Sequence, residues 1–278
     1  MKPRYCLVHL TNGFCPPPEL VLQAAGAGYD CVSFRGIPAR TKQSGGFSSS
    51  LSGPPPFDFA GDRQMLRQTK EALAETGLAV NDIENARIFP GVDVRDYEAD
   101  LEAAAELGCK NILTNIWSEE ESFSMEQFQR LCELAAGYDQ SVHLEFVTWS
   151  AVKDLRTAAR MLLASGWKNV GIVVDTLHFY RSRVKAEELD FLPVEWFSYV
   201  HLCDCGPEIP EDIPSLVKTG IQERLIPGEG AVDIRGLLER IPQAVRGLEI
   251  PNPDRMKHQG IEPYIRYCLE QTRAYLEG

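Results

Sequence analysis

Eight short apolar runs, each followed by a helical pattern, recur along the whole chain and leave few folds open to it. The runs are RYCLVHL (4–10), DCVSFRG (30–36), LAVNDIE (78–84), NILTNIW (111–117), SVHLEFV (141–147), VGIVVD (170–175), FSYVHLCD (197–204) and RGLEI (246–250). Short and apolar, they read as strands of a sheet covered on both faces. Between them, PPPELVLQAAGAG sets prolines ahead of a helix and glycine past its end. DRQMLRQTKEALAETG, DYEADLEAAAELG and AVKDLRTAARMLLASG also stop on Gly, which enters the left-handed region without a Cβ clash. SMEQFQRLCELAAG begins with Ser124 three residues before Gln127, a capping-box spacing. VDIRGLLERI and PYIRYCLEQTRAYLEG supply the last two helices, and 184–196 reads as a short or broken one.

Eight βα repeats in 278 residues match the size of a (β/α)8 TIM barrel, one domain spanning 1–278. A doubly wound sheet is the alternative, but TNGFCPPPE after the first strand is no GxGxxG phosphate loop. The segment 36–61 after strand two is Ser/Gly/Pro-rich and longer than an ordinary βα loop, and reads as a long loop or lid. Phe47, Phe57 and Phe59 favour a lid that touches something.

Composition removes several classes. With 28 basic against 40 acidic residues, the net charge of −12 argues against a nucleic-acid surface. No run approaches the ~18 apolar residues that cross a bilayer, and MKPRYCLVHL does not read as a signal peptide. Eight cysteines without paired spacing fit reduced thiols in the cytoplasm.

In a barrel, side chains at the C-terminal strand ends converge over the axis. The last four strands each bring a metal-competent residue there: Glu145, Asp175, His201 and Glu249. Each sits among apolar neighbours, where a lone ionised group is costly. Individually, the acids also read as helix caps and His201 as a core histidine. Four on successive strands favour one divalent metal ion. The O3N set suits Mn2+ first, with Mg2+, Co2+ or Zn2+ as alternatives. Two carboxylates across such a site can move a proton off and onto carbon. His9, Arg35, Glu84, Asn115 and Trp117 are further candidates on the same face, and His143, one layer below Glu145, reads as core.

LEF around Glu145, VDTLHFYRS, VHLCD around His201, PGEGAVD (227–233) and LEIPN around Glu249 together resemble the xylose isomerase-like barrel superfamily, in its sugar isomerase and epimerase branch. The resemblance implies that Glu145, Asp175, His201 and Glu249 bind the metal. It implies that Glu145 and Glu249 are the acid/base pair, working through an enediolate, and that His178 contacts substrate. A sugar or keto-polyol is the implied small-molecule partner, with no nucleic acid or membrane, and a homo-oligomer remains open. Ketose 3-epimerases of this type carry a Glu six residues after the first metal Glu and an Arg six after the metal His. Those positions are Ala151 and Pro207 here, so Arg181 and Arg183 are the candidates for positive charge. The same site serves dehydratases of keto-polyols and dehydroshikimate, the alternative reading. An apurinic endonuclease needs more histidines than the five present, and a non-catalytic sugar-binding barrel could dispense with the paired Glu.

Overall fold

The structure, a computed structural model, describes residues 2–40 and 53–278; the expectation for Phe47 and the middle of the proposed lid lies outside them. The eight expected strands form a closed parallel barrel in sequence order. They are Tyr5–Leu7 (β1), Cys31–Arg35 (β2), Ala79–Glu84 (β3), Asn111–Thr114 (β4), Ser141–Glu145 (β5), Val170–Asp175 (β6), Tyr199–Leu202 (β7) and Val245–Leu248 (β8). Pairing of Tyr5 with Arg246 and Leu7 with Leu248 closes β1 onto β8.

Strand parity divides the apolar residues between two cores. Leu7, Phe34, Ile112, Leu144, Ile172, Val174, Val200 and Leu248 point outward and join the helices in one large buried cluster. Leu113, Val173 and Tyr199 form a separate small cluster inside the barrel. Each fully buried side chain of this kind contributes about 1.5–3 kcal/mol.

The helices around the barrel are Pro17–Ala27 (α1), Arg63–Thr76 (α2), Glu98–Glu106 (α3), Glu121–Ala136 (α4), Leu155–Ser165 (α5), Thr176–Arg181 (α6), Ile213–Gln222 (α7), Ile234–Arg240 (α8), Pro253–Gln259 (α9) and Ile261–Glu277 (α10). Gly28, Gly77 and Gly166 end α1, α2 and α5 in the left-handed region as expected. The stretch 184–196 forms two short 3-10 turns.

Three readings need correction. The capping box at Ser124 does not exist: α4 starts at Glu121, and Ser124 and Gln127 are buried inside it. Their side chains serve other loops, Ser124 donating to the Ser118 carbonyl and Gln127 accepting from the Val94 amide. Helix α7 went unread because three prolines at 207, 210 and 214 mask its start, where Asp212 caps and Pro214 fits the first turn. Several strands stop earlier than their apolar runs, since β1 gives way to a 3-10 turn at His9–Asn12.

One carboxylate organises the loop that follows α7. Asp204 is buried and accepts four backbone N–H bonds, from Cys205, Gly228, Gly230 and Val232, at 2.9–3.0 Å. A Cβ at Gly230 would lie 2.2 Å from the Cys205 carbonyl oxygen, so this approach requires glycine. Asp204 also pairs in both directions with Leu225, which fixes the neighbouring Arg224. Replacing Asp204 with Ala should therefore lower the unfolding free energy by at least about 1.5–3 kcal/mol, the range for a single hydrogen bond to a charged group. A shift of the urea midpoint at neutral pH measures this; an unchanged midpoint would contradict it.

Candidate active site

Parity and register carry Glu145, Asp175 and His201 to the upper rim, where Asp175 stands beside His201 and Glu145 beside Val173. Glu249 follows β8 directly, its amide bonded to the Leu202 carbonyl. Each of the four offers a ligand atom, and these atoms lie within 4.8 Å of one another. None is more than 7% exposed, so water does little to screen three carboxylates held this close.

Two cations offset that repulsion. Arg224 Nη1 lies 2.5 Å from Asp175 Oδ2 and 2.8 Å from Glu249 Oε2. Its Nε donates to the Gly220 carbonyl at 2.6 Å, which ties the guanidinium to the end of α7. His201 Nδ1 stands 3.4 Å from Glu145 Oε1 and 3.5 Å from Glu249 Oε2. Burial alone would lower the His201 pKa, but Glu249 and Glu145 together hold it well above the usual value. Burial would likewise raise Glu249, and Arg224 with His201 instead holds it well below the carboxylate range. Asp175 is pushed up to about 7, by burial first, against the pull of Arg224.

Neither His201 ring nitrogen makes a hydrogen bond among the described residues, though both are buried. A histidine that makes no hydrogen bond beside three convergent carboxylates has the donor chemistry of a divalent-metal site, so the residues present fit such an ion. Supporting contacts orient the set. Asn115 Nδ2 donates to Glu145 Oε2 at 2.9 Å, and Asp175 Oδ1 accepts from the Leu177 and His178 amides at 2.8 and 3.1 Å. Asp175 is thus the α6 cap and a member of the cluster together.

The other expected residues divide. Glu84, Trp117 and His178 line the cavity over the cluster, with Arg35 and Asn115. Arg35 Nη1 reaches Glu84 Oε1 at 3.4 Å, while burial pushes the Glu84 pKa up to about 7. The Thr148 amide donates to His178 Nδ1, leaving the ring proton on Nε2. Burial first, then Arg224 and Arg181, keeps this imidazole neutral by lowering its pKa well below the usual value. His9 and Arg181 are absent from the residues that line the cavity, and their side chains are engaged in other contacts. His9 Nε2 meets the Cys15 carbonyl at 2.8 Å, its Nδ1 accepts from the Arg35 amide, and its ring stacks on Phe57. Arg181 turns away to donate to the Leu216 carbonyl and Thr219 Oγ1, so it anchors α7. His143 stays in the barrel against Tyr199, as expected of a core residue.

Arg224 is the residue that the sequence reading missed. The position six residues after His201 holds Pro207, and Arg224 enters the cluster only after α7 has intervened. Its visible signal is its place just ahead of the PGEGAVD motif. Arg87, Asn85 and Trp149 also line the cavity and were not singled out.

A family profile described as a xylose isomerase-like TIM barrel matches residues 21–268. An inosose isomerase of Bacillus velezensis is 26% identical over 195 residues, covering 65% of this chain and 67% of the relative. An inosose isomerase of Halalkalibacterium halodurans is 25% identical over 183 residues, covering 65% of this chain but only 56% of the relative. Among solved structures, the IolI protein with a bound zinc atom superposes with a TM-score of 0.78 at 20% identity, covering 99% of this chain and 98% of its own.

Removing the guanidinium should expose the repulsion it offsets. Arg224→Met is expected to destabilise metal-free protein by about 3–5 kcal/mol, the cost of leaving buried charge unpaired. Added Mn2+ should return a large part of that loss in thermal unfolding. Equal melting temperatures for the variant and the parent, both metal-free, would contradict this account.

Proposed function

This chain belongs to the xylose isomerase-like TIM barrel family, and on that footing we propose that it is a metal-dependent isomerase or epimerase of a sugar or polyol. The observation that carries the reading is the convergence of Glu145, Asp175, His201 and Glu249 at the open end of the barrel. A divalent ion held by these four, Mn2+ first on an O3N donor set, would polarise a substrate carbonyl and acidify the adjacent C–H. The inosose isomerase relatives support a sugar or polyol substrate and place inosose among the first compounds to try.

The protein's own groups supply the proton traffic. Glu145 on β5 and Glu249 after β8 rise from strands three places apart in the eight-strand ring, so they flank the cluster. One removes the proton next to the carbonyl and the other returns a proton. Arg224, and the ion once bound, would hold Glu249 ionised, the form a base requires. Asn115 fixes the rotamer of Glu145. His178, with its proton on Nε2, donates to a substrate oxygen, and Glu84 with Arg35 reads the hydroxyls on the other side. Trp117 offers an apolar face to the sugar ring. The eight cysteines are free thiols, which supports the cytoplasm as the proposed location.

Removing divalent metal should abolish exchange of the substrate C–H with solvent deuterium, and Mn2+ should restore it. Glu249→Gln should keep the fold, judged by circular dichroism, and slow exchange by about 10²–10⁴-fold, the usual range for an acid/base group. Exchange at the parental rate would refute the acid/base assignment. The ion must also displace a proton from His201, whose pKa is raised in the metal-free protein. Calorimetry in buffers of different ionisation enthalpy should therefore show proton release on Mn2+ binding, with affinity falling as pH drops.

A further inference from the structure

The cavity over the cluster holds only about 50 Å³, below the ~300–1,000 Å³ of ordinary ligand sites. A neighbouring groove on the same face of the barrel holds about 760 Å³. Leu10 and Ile221 line both, so the two spaces meet across this pair of side chains. Gly53 crosses the junction at φ +73°, where a Cβ would come 3.2 Å from Leu10 Cδ1.

The groove's surface is apolar in what it offers a ligand. Phe14, Met256, Ile261 and Pro251 supply its walls, and Phe14 is 77% exposed. Several of its polar side chains are already engaged, while Lys257 and Glu262 stand exposed along it. Thr11 donates to the Leu248 carbonyl and accepts from the Ile250 amide. Asn12 donates to Gln23, while Asn252 caps α9 and donates to the Arg224 carbonyl. Away from Lys257 and Glu262, a second sugar would find few free partners for its hydroxyls here, whereas an aryl or alicyclic ring can lie on the apolar walls.

We propose that this groove is a subsite for an apolar ring attached to the sugar or polyol, so that the enzyme acts on substituted substrates in preference to small free ones. The inference rests on the metal-dependent isomerase reading, and the wall of Leu10 and Ile221 that the groove shares with the cavity over the cluster is what assigns the groove to a substrate.

Hydroxamates test it without knowledge of the substrate, because the hydroxamate anchors on the metal. Calorimetry on Mn2+-loaded protein would compare acetohydroxamate with phenylalkyl hydroxamates of increasing chain length. At least one phenyl compound should bind about tenfold tighter or better, from the apolar area it buries. Met256→Glu should remove that preference and leave acetohydroxamate binding unchanged. Phe14→Glu, at an exposed position in the same groove, should do the same without disturbing the core. Equal affinity across the series would overturn the subsite and leave the isomerase reading standing. Failure of every hydroxamate to bind would overturn the metal site and the subsite with it. A preference untouched by both variants, or a change of oligomeric state as their only effect, would assign the groove to another use and overturn the proposal.

Discussion

Three carboxylates packed into the dry end of a barrel repel one another, and much of the surrounding structure answers that repulsion. Glu145, Asp175 and Glu249 are buried within a few ångströms of each other. In an interior of low effective dielectric, such a group is tolerable only with positive charge and hydrogen-bond donors close by. Arg224, His201, the Asn115 amide and the first N–H groups of α6 fill these roles. A divalent ion bound by the same four residues would complete the compensation, and its chemistry would be available to a carbonyl substrate.

The supports extend well beyond the cluster. Arg224 is useful only if its guanidinium is held, and the end of α7 holds it through the Gly220 carbonyl. Helix α7 is in turn tied down by Arg181, and the chain after it by the four amides gathered on Asp204. Residues outside the cluster thus set the position of the guanidinium inside it. The PGEGAVD stretch has a structural reason for its glycines: Gly228 adopts positive φ, and Gly230 leaves room for a close approach of backbone to Asp204.

The sequence made the barrel legible because its signal is local and repeated eight times. Helix stops were clear at Gly28, Gly77 and Gly166, where one residue type decides the backbone. Ser124 misled because a capping residue and a buried hydroxyl inside a helix look alike until the helix start is known. The four cluster residues were legible for another reason. Each lies at or beside the C-terminal end of a strand, and barrel topology converts that place in sequence into a place over the axis. His9 lies just after β1 and Arg181 ends α6, but their side chains turn to groups nearby, a choice of rotamer that position in the sequence does not report.

The sequence by itself determined the eight-fold βα order, the parity that splits the apolar residues between two cores, and the strand ends on which Glu145, Asp175, His201 and Glu249 stand. Only the tertiary structure decided that Arg224, twenty-three residues beyond His201 and past an intervening helix, joins them as a cation. It also decided that an apolar groove meets the cavity at Leu10 and Ile221. Periodicity and capping act within a few residues along the chain, so one sequence displays them. Ion pairs and shared cavity walls join residues from distant segments, and closure of the barrel is what brings those segments together.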